Sequence, residues 1–255
     1  MTPTNDPLFD LSGRVVVIVG AGGGLGQPLA EGLMARGAVL AALDKDPARL
    51  KALMSATEPA VSLEADITDE ASLEAALARV ARDLGRIDGA INAAGLLPIA
   101  GALDMPAADF RACIDANLTG GFLMSRVAAR QMIENRDGGG RIVHLASVSS
   151  LVANVDYAAY APSKAGLAQL VRVLAREWAP HNITVNAIGP AMTETDLTAD
   201  YLADPGFRDR AQAAIPMGRL GSAGDLLATA ILLLSPGGAF ITGQTIYVDG
   251  GRTLV

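Results

Sequence analysis

A tyrosine and a lysine stand four positions apart in the sequence YAPSK, as Tyr160 and Lys164. On an α-helix, residues at this spacing lie on the same face. The pKa of an unperturbed tyrosine is about 10, so the phenol is a poor base at neutral pH. A partly desolvated ammonium one helical turn away would favour the phenolate and lower that pKa. The pattern predicts a proton-transfer pair in which Tyr160 is the general acid/base.

The same pair has a second, purely structural interpretation. Tyr160 could pack in the core while Lys164 is a solvated surface charge. Pro162 lies between them, and proline is tolerated only near the start of a helix or at a kink. The motifs elsewhere in the chain therefore decide between the two interpretations.

A group of serines precedes the pair, directly after a predicted strand. Ligands of open parallel sheets bind beyond the carboxyl ends of the strands. Ser147 ends such a strand, so its hydroxyl could bind a substrate oxygen and stabilise the charge that develops there. On spacing alone, Ser149 and Ser150 are equally suitable.

Asn117 lies inside a predicted helix, where asparagine is unfavourable unless its amide is used. A functional role and a purely structural one are both compatible with this position. The sequence predicts no metal site, because His144 and His181 are too few and too far from other ligands. His144 is predicted to be a packed core residue. Cys113 has no basic partner in sequence, so a catalytic thiol is not predicted.

The stretch VVVIVGAGGGLGQPLAEGL reads as a buried strand, a glycine loop and a helix. Gly20, Gly24 and Gly26 follow the spacing G-x-x-x-G-x-G. Glycine allows a tight turn and a close approach of the backbone to a diphosphate. The helix N-terminus would offer free N–H groups to the phosphates. The alternative is a glycine-rich connection that binds nothing.

Asp44 ends the second predicted strand and bears on cofactor choice. A carboxylate at this position can accept hydrogen bonds from the adenosine ribose and would repel a 2'-phosphate. This favours NAD over NADP, although Lys45 next to it weakens the argument. Alternatively, Asp44 could cap the following helix.

Strands and helices alternate along the whole sequence, which predicts right-handed crossovers and a parallel sheet covered on both faces. The predicted strands are 14–19, 38–43, 60–64, 87–91, 141–146, 182–188 and 244–248. The predicted helices are about 24–36, 47–56, 69–84, 106–134, 156–178, 206–214 and 223–234.

The domain organisation follows from the absence of any linker. With 255 residues, the chain is predicted to be one domain over 1–255. Residues 1–10 are predicted to be a loose tail. Residues 190–215, in an irregular stretch, are predicted to form a lid over the substrate. The predicted wall of the substrate pocket consists of Leu97, Asn154, Met192, Leu197 and Leu202. These side chains suggest a partly apolar substrate.

Composition and charge exclude several classes of protein. The net charge is −7 and 51% of the residues are hydrophobic. An acidic chain of this kind is not expected to bind nucleic acid. The apolar runs are too short to cross a bilayer, and no signal peptide is visible. A single cysteine fits a reducing compartment, so a cytoplasmic location is predicted.

The ordered set of motifs resembles the short-chain dehydrogenase/reductase family from about Leu11 to Gly251. The motifs are Gly20-x-x-x-Gly24-x-Gly26, Asp66 in EADIT, NAAG at 92–95, Asn117 in DANLTG, Ser147, Tyr160-x-x-x-Lys164, NAIGP at 186–190 and YVDGG at 247–251. The resemblance implies an α/β fold: a single-domain, doubly wound Rossmann fold with a seven-stranded parallel sheet. It also implies assembly as a homotetramer or dimer.

The resemblance assigns roles residue by residue. The implied catalytic residues are Asn117, Ser147, Tyr160 and Lys164; Ser147 is preferred over its neighbours, and Asn117 holds a water that links Lys164 to solvent. The implied cofactor-binding residues are Gly20, Gly24, Leu25, Gly26, Asp44, Asp66, Ile67, Asn92, Ala93, Gly95, Tyr160, Lys164, Pro190 and Thr195. The implied substrate-binding residues are Ser147, Asn154, Tyr160 and Met192.

Two positions depart from the family pattern. Val19 replaces the usual threonine before the first glycine, and Ala191 replaces the glycine usually found after Pro190. Neither change removes a group needed for hydride transfer.

The leading functional hypothesis is an NAD-dependent oxidoreductase that interconverts a secondary alcohol and a ketone of a small-molecule substrate. An alternative implied by the resemblance is an NADP-dependent 3-oxoacyl thioester reductase, against which Asp44 counts. A third hypothesis, from a different class, is a dinucleotide-binding regulatory protein without catalysis. The intact Asn117, Ser147, Tyr160 and Lys164 count against it.

Overall fold

The computed structural model describes residues 6–135 and 138–255, so the first half of the predicted 1–10 tail lies outside the described residues. The strands of this part are β1 (Val15–Val19), β2 (Val39–Asp44), β3 (Val61–Glu64), β4 (Gly89–Asn92), β5 (Gly140–Leu145), β6 (Ile183–Pro190) and β7 (Thr245–Val248). They form one sheet in the order β3-β2-β1-β4-β5-β6-β7, with every neighbouring pair parallel.

This sheet confirms the predicted doubly wound parallel fold. The order runs outward from β1 to β3 on one side and from β4 to β7 on the other. In such sheets the crevice for a ligand lies at the carboxyl ends of the strands where the order reverses, which here is between β1 and β4.

Helices cover both faces of the sheet. They are α1 (Gly26–Met34), α2 (Pro47–Thr57), α3 (Glu70–Leu84), α4 (Ala107–Ile114), α5 (Gly120–Glu134), α6 (Tyr160–Trp178), α7 (Asp196–Leu202), α8 (Pro205–Ala213) and α9 (Ala223–Leu234). A π-helical segment, Asp115–Thr119, joins α4 to α5, so the predicted helix 106–134 is continuous but irregular. The predicted helix 156–178 begins later, at Tyr160, and α7 was not predicted.

The alternation of side chains along β1 divides the core between the two faces. Val15, Val17 and Val19 belong to the cluster that α3, α5 and α6 complete. Val16 and Ile18 belong to the cluster that α1 and α9 complete. A strand buried on both faces must be apolar at every position, which explains the continuous run VVVIV.

A third, smaller cluster joins residues 190–215 to the sheet. Val148, after β5, packs there with Leu202 and Ile215. In the described part of the chain, no helix is both long and apolar enough to cross a membrane. The same residues contain no group of three or more His, Cys, Asp or Glu that could hold a metal ion.

Candidate active site

The glycine loop joins β1 to α1 in a turn that side chains would obstruct. Gly20 has φ +81°, and a Cβ added to it would lie 2.6 Å from the Ala94 nitrogen. A Cβ on Gly26 would lie 2.0 Å from the Gly20 oxygen. The backbone N–H groups of Gly24 and Leu25 have no acceptor among the hydrogen bonds of the described residues. Two such donors at a helix N-terminus fit the diphosphate of a dinucleotide.

Thr195 and Asp196 lie directly over this loop. A Cβ on Gly24 would lie 2.8 Å from the Cβ of Thr195 and 3.1 Å from the Asp196 nitrogen. Thr195 starts α7 with a capping box, in which its backbone N–H donates to the Thr198 hydroxyl at 3.0 Å. Ala191, where the family has glycine, does not adopt a positive φ. The turn therefore does not require glycine here.

Asp44, at the end of β2, is hydrogen-bonded to the glycine loop. Its Oδ2 accepts a hydrogen bond from the Gly22 N–H at 3.0 Å, and its Oδ1 accepts one from the Asp46 N–H at 3.0 Å. Asp46, not Asp44, caps α2 by accepting from the Ala48 N–H at 2.8 Å. Each oxygen of Asp44 can therefore accept one more hydrogen bond, for example from a ribose hydroxyl.

Asp66 and Ile67 follow β3 at the same edge of the sheet. The Asp66 Oδ1 accepts from the Thr68 N–H at 2.9 Å and from the Thr68 hydroxyl at 2.8 Å. These hydrogen bonds, the backbone one foremost, hold the pKa of Asp66 below its ordinary value. Ile67 is buried against Gly120, where a Cβ would lie 2.9 Å from its Cγ1.

Asn92, at the end of β4, shapes the loop that carries Ala93 and Gly95. Its Oδ1 accepts from the Ala94 N–H at 3.1 Å, and its Nδ2 lies 3.4 Å from Nδ1 of His144. His144 is fully buried, and burial lowers its pKa to about 3. The ring is therefore neutral, as expected for a core residue.

Ser125 fixes the tautomer of that histidine. The Ser125 hydroxyl donates to the Gly121 carbonyl at 2.7 Å and lies 2.8 Å from Nε2 of His144. Because the Ser125 hydroxyl donates its proton to the Gly121 carbonyl, its oxygen acts as the acceptor for the ring. We therefore assign the ring proton to Nε2 and the acceptor role to Nδ1.

Asn117 lies in the π-helical segment and is fully buried. Its Oδ1 accepts from the Leu96 N–H at 2.8 Å, and its Nδ2 donates to the Leu96 carbonyl at 2.9 Å and to the Ser163 hydroxyl at 2.9 Å. The amide thus ties the loop after β4 to α6, which accounts for an asparagine within a helical stretch. The implied role in holding a water stays a prediction.

Tyr160 lines the cleft and is partly exposed, whereas Lys164 is buried. Because α6 starts at Tyr160, Pro162 falls in its first turn and no kink is needed. The Lys164 side chain is 5% exposed, and its Nζ donates to the Leu145 carbonyl at 2.7 Å. The same Nζ lies 5.6 Å from the centroid of the Tyr160 ring.

The electrostatic expectation for this pair is not met in the structure. Burial raises the pKa of Tyr160 above its ordinary value; the Ser147 hydroxyl acts in the opposite direction, and Tyr157 adds to the rise. Burial also lowers the pKa of Lys164 to about 8. Desolvation is the largest cause of the rise in the pKa of Tyr160, while Nζ of Lys164 is directed to the Leu145 carbonyl.

A cavity of about 360 Å³ lies between the carboxyl ends of β5 and β6 and residues 190–215. Among the residues that the sequence singled out, its lining includes Leu25, Leu97, Ser147, Ser149, Asn154, Tyr160, Pro190, Met192, Thr195 and Leu197. Leu202 does not line it and packs instead in the third core cluster. Lys164 and Asn117 lie behind Tyr160, outside the lining.

The three serines have different surroundings. The Ser147 Oγ accepts from the Ser149 N–H at 3.1 Å, and both side chains reach the cavity. The Ser150 hydroxyl lies 2.7 Å from the Tyr247 hydroxyl and is not part of the lining. Only Ser147 and Ser149 could therefore contact a substrate in this cavity.

Sequence reasoning missed several residues of this cavity. Tyr157, Phe207 and Arg252 line it, and the Tyr157 ring meets the Tyr160 ring edge to face with centroids 5.8 Å apart. Arg252 follows the YVDGG motif, but nothing in the sequence connects that position with Ser147. Only the packing of β7 beside β6 brings them to one cavity.

A doubly wound parallel sheet with a glycine loop at the carboxyl ends of its strands is the architecture of a dinucleotide-binding protein. A family model described as enoyl-(acyl carrier protein) reductase matches residues 20–253. The chain belongs to the short-chain dehydrogenase/reductase family, and it acts on CH–OH groups.

Individual relatives support this membership over the full length. The chain is 35% identical over 250 residues to the NAD-dependent glycerol dehydrogenase of Listeria innocua, covering 98% of this chain and 97% of that protein. A short-chain type dehydrogenase/reductase from Mycobacterium marinum superimposes with a TM-score of 0.90 at 33% identity, over 97% and 98% of the two chains. A 3-ketoacyl-(acyl-carrier-protein) reductase from Brucella melitensis complexed with NADH gives 0.89 at 30% identity, over 96% and 100%.

Proposed function

We propose that this protein uses NAD to interconvert a secondary alcohol and the corresponding ketone. When bound, the nicotinamide nucleotide supplies the hydride acceptor and donor. The Tyr160 phenol exchanges a proton with the substrate oxygen, and the Ser147 hydroxyl donates to that oxygen and orients it. The observation that carries the proposal is that Ser147 and Tyr160 line one cavity with Leu25, Pro190 and Thr195.

Lys164 has two roles in this proposal, which are to bind the cofactor ribose and to favour the Tyr160 phenolate. Its Nζ, held by the Leu145 carbonyl at 2.7 Å, lies where it can also donate to ribose hydroxyls of the cofactor. A cofactor with a cationic ring beside Tyr160 would add to the lysine in favouring the phenolate. Burial alone works against the phenolate, so the acidification of Tyr160 requires the assembled complex.

The preference for NAD is supported by Asp44. Its carboxylate is buried at the end of β2 and bonded to the glycine loop through Gly22. A 2'-phosphate brought to this position would meet a negative charge. The related L. innocua enzyme is NAD-dependent by name.

A second candidate is an NADP-dependent 3-oxoacyl thioester reductase. The apolar side chains of Leu97, Met192 and Leu197 in the cavity favour it, and the B. melitensis relative is named for such a reaction. The exposed Lys45 beside Asp44 could pair with a 2'-phosphate. A dinucleotide-binding protein without catalysis is the third candidate.

The test compares two phenol-to-phenylalanine variants in the same cavity. Tyr160→Phe should lower kcat at least about a thousandfold with NAD and secondary alcohols, since it removes the proton-transfer group. Tyr157→Phe removes a neighbouring hydroxyl and should stay within about tenfold of wild type. Equal activity of Tyr160→Phe and wild type would exclude the proposed mechanism. Tight NADH binding without turnover of any carbonyl substrate would favour the third candidate.

We further propose that the whole chain forms one domain, with 190–215 as a substrate lid, and that it assembles as a homotetramer or dimer. The single cysteine, Cys113, is buried, which is compatible with a reducing cytoplasm. Light scattering of the purified protein would give the oligomeric state.

A further inference from the structure

A continuous track of polar side chains runs along one wall of the cavity. It starts at Ser147, whose Oγ accepts from the Ser149 N–H at 3.1 Å. The Ser149 Oγ accepts from Nδ2 of Asn154 at 3.2 Å. The Asn154 Oδ1 accepts from Nη2 of Arg252 at 3.2 Å. All four side chains line the cavity, so the track connects the proposed reaction centre to a guanidinium.

The arginine at the end of the track is held in place by its own turn. The Asp249 carboxylate accepts from the Gly251 N–H at 3.0 Å and from the Thr253 N–H and hydroxyl at 2.7 Å each. Nη1 of Arg252 donates to the main-chain oxygen of Val255 at 3.0 Å. A side chain fixed at both the backbone and the guanidinium loses little entropy on binding a ligand.

Among the described residues, the polar partners of the Arg252 guanidinium are the main-chain oxygen of Val255 and the side-chain oxygen of Asn154. The Arg219 guanidinium, by comparison, is paired at 2.7 Å with the Asp225 carboxylate. No Asp or Glu of the described residues forms an ion pair with Arg252. Two hydrogen bonds to protein acceptors leave most of its five N–H donors available.

The rest of the cavity strengthens the attraction between Arg252 and an anion. The other side chains that enclose it are mainly apolar, among them Leu97, Met192 and Phe207. Its described lining contains a second arginine, Arg210, and no carboxylate side chain. An apolar enclosure lowers the local dielectric constant, so an anion would be attracted more strongly than in water. The planar fork of arginine matches a carboxylate in a bidentate pair.

We propose that Arg252 and Asn154 form a carboxylate subsite, and that the substrates are secondary alcohols bearing a carboxylate, with the corresponding oxo acids as products. The carbinol group lies at Ser147 and Tyr160 and the carboxylate at Arg252, while the chain between them can face the Ser149 and Asn154 polar groups. This inference rests on the proposed function, which supplies the reaction at the other end.

The test uses two pairs of compounds, each consisting of a carboxylate and a neutral analogue of similar size. The pairs are D-gluconate with D-glucitol, and 3-hydroxybutanoate with its methyl ester. We expect wild type to prefer the acid of at least one pair in kcat/KM. Arg252→Gln should reduce the acid-to-neutral ratio roughly 10- to 100-fold, the effect of losing one charge-assisted pair. The loss should fall mainly on KM, and Arg252→Lys should restore part of it.

Two controls separate recognition from folding. Arg172→Gln removes an exposed arginine of α6 that does not line the cavity, and should leave the ratio unchanged. In Arg252→Gln, activity on the neutral member of each pair should persist. A proportional loss on both members would show a structural role and overturn the subsite. An unaltered ratio, or no preference for the acid in any pair, would overturn it as well.

Binding distinguishes failure of the subsite from failure of the proposed chemistry. Calorimetry of each compound with Tyr160→Phe protein and NAD measures recognition without turnover. The subsite would be supported if the acid binds more tightly than its neutral analogue and if this difference is lost in the Tyr160→Phe, Arg252→Gln double variant. This holds even if no compound is turned over. Absence of binding by every acid would overturn it, whatever the activity on neutral alcohols.

Discussion

Asn117 and Leu96 are joined by two hydrogen bonds that run in opposite directions. The Leu96 N–H donates to Oδ1 of Asn117 at 2.8 Å, and Nδ2 of Asn117 donates to the Leu96 carbonyl at 2.9 Å. One side-chain amide thus satisfies both backbone groups of one loop residue. Because the same Nδ2 donates to the Ser163 hydroxyl at 2.9 Å, the loop after β4 and the start of α6 are fixed to each other.

Replacing Asn117 by alanine should destabilise the protein by about 2–5 kcal/mol, since both Leu96 groups would lose their partner. Asn117→Asp keeps the acceptor for the Leu96 N–H and should cost less at low pH, where the acid can also donate. The free energy of unfolding in urea measures both. A change below about 0.5 kcal/mol in Asn117→Ala would contradict this account of the loop.

His144 should make the protein sensitive to acid. Burial lowers its folded pKa to about 3, below the unfolded value of about 6.5. Below pH ~6.5 the unfolded state therefore binds the proton first, and stability falls by up to about 1.4 kcal/mol for each pH unit until the folded pKa is reached. Above pH ~6.5 both states are neutral and the contribution is constant.

Urea titrations between pH 5 and 7.5 check this effect. His144→Asn should flatten the pH dependence relative to wild type. His181→Asn, which changes an exposed residue on a surface turn, serves as the matched control and should retain the wild-type slope. If His144→Asn keeps that slope too, another group is responsible.

Lys164→Met should separate activity from stability. The variant removes a cation that burial destabilises, as its pKa lowered to about 8 indicates, and apolar replacements of buried charges are often neutral or stabilising. We expect kcat/KM to fall at least about a hundredfold while Tm is unchanged or rises by a few degrees. Loss of more than about 5 °C would instead assign Lys164, through its bond to Leu145, a structural role.

Asp44→Asn should relax the preference between the two cofactors. Asparagine can still accept from the Gly22 N–H, which Asp44 binds at 3.0 Å, although it loses the hydrogen bond from the Asp46 N–H. It no longer repels a 2'-phosphate. The ratio of kcat/KM for NAD over NADP should fall about tenfold or more, equivalent to about 1.4 kcal/mol. Lys45→Gln, which removes the adjacent positive charge, should move the ratio in the opposite direction. A ratio unaffected by Asp44→Asn would remove the basis for NAD preference.

The strands were the most predictable elements, because a parallel sheet buried on both faces requires uninterrupted apolar runs. The run at 15–19 shows this directly, since each of its residues is buried and alternate side chains enter different core clusters. Such a pattern depends on local sequence and burial alone.

The beginning of α6 was mispredicted for a tertiary reason. Alanine-rich residues before Tyr160 favour helix, but Tyr157 forms an isolated parallel bridge with Ala100. Asp156 has φ +68°, outside the right-handed helical region, and its carbonyl accepts from the Ala100 N–H at 3.0 Å. These long-range bonds hold the segment out of the helix.

The missed helix α7 has a similar explanation. Its sequence DLTADYL is short and carries little apolar periodicity. It is held instead by its capping box and by a hydrogen bond from the Tyr201 hydroxyl to the Leu97 carbonyl at 3.0 Å. The capping box is local, since Thr195 and Thr198 are three residues apart, but the contact between Tyr201 and Leu97 cannot be identified from local spacing.

The sequence by itself determined the alternating α/β order, the glycine turn and the family, because these depend on burial patterns and on motifs whose residues are close together in the chain. Tertiary structure alone decided that Lys164 turns to the Leu145 carbonyl, that desolvation raises the pKa of Tyr160, and that Arg252 shares a cavity with Ser147. Desolvation and charge pairing depend on distances between residues remote in sequence, and those distances are fixed only when the sheet and its helices pack.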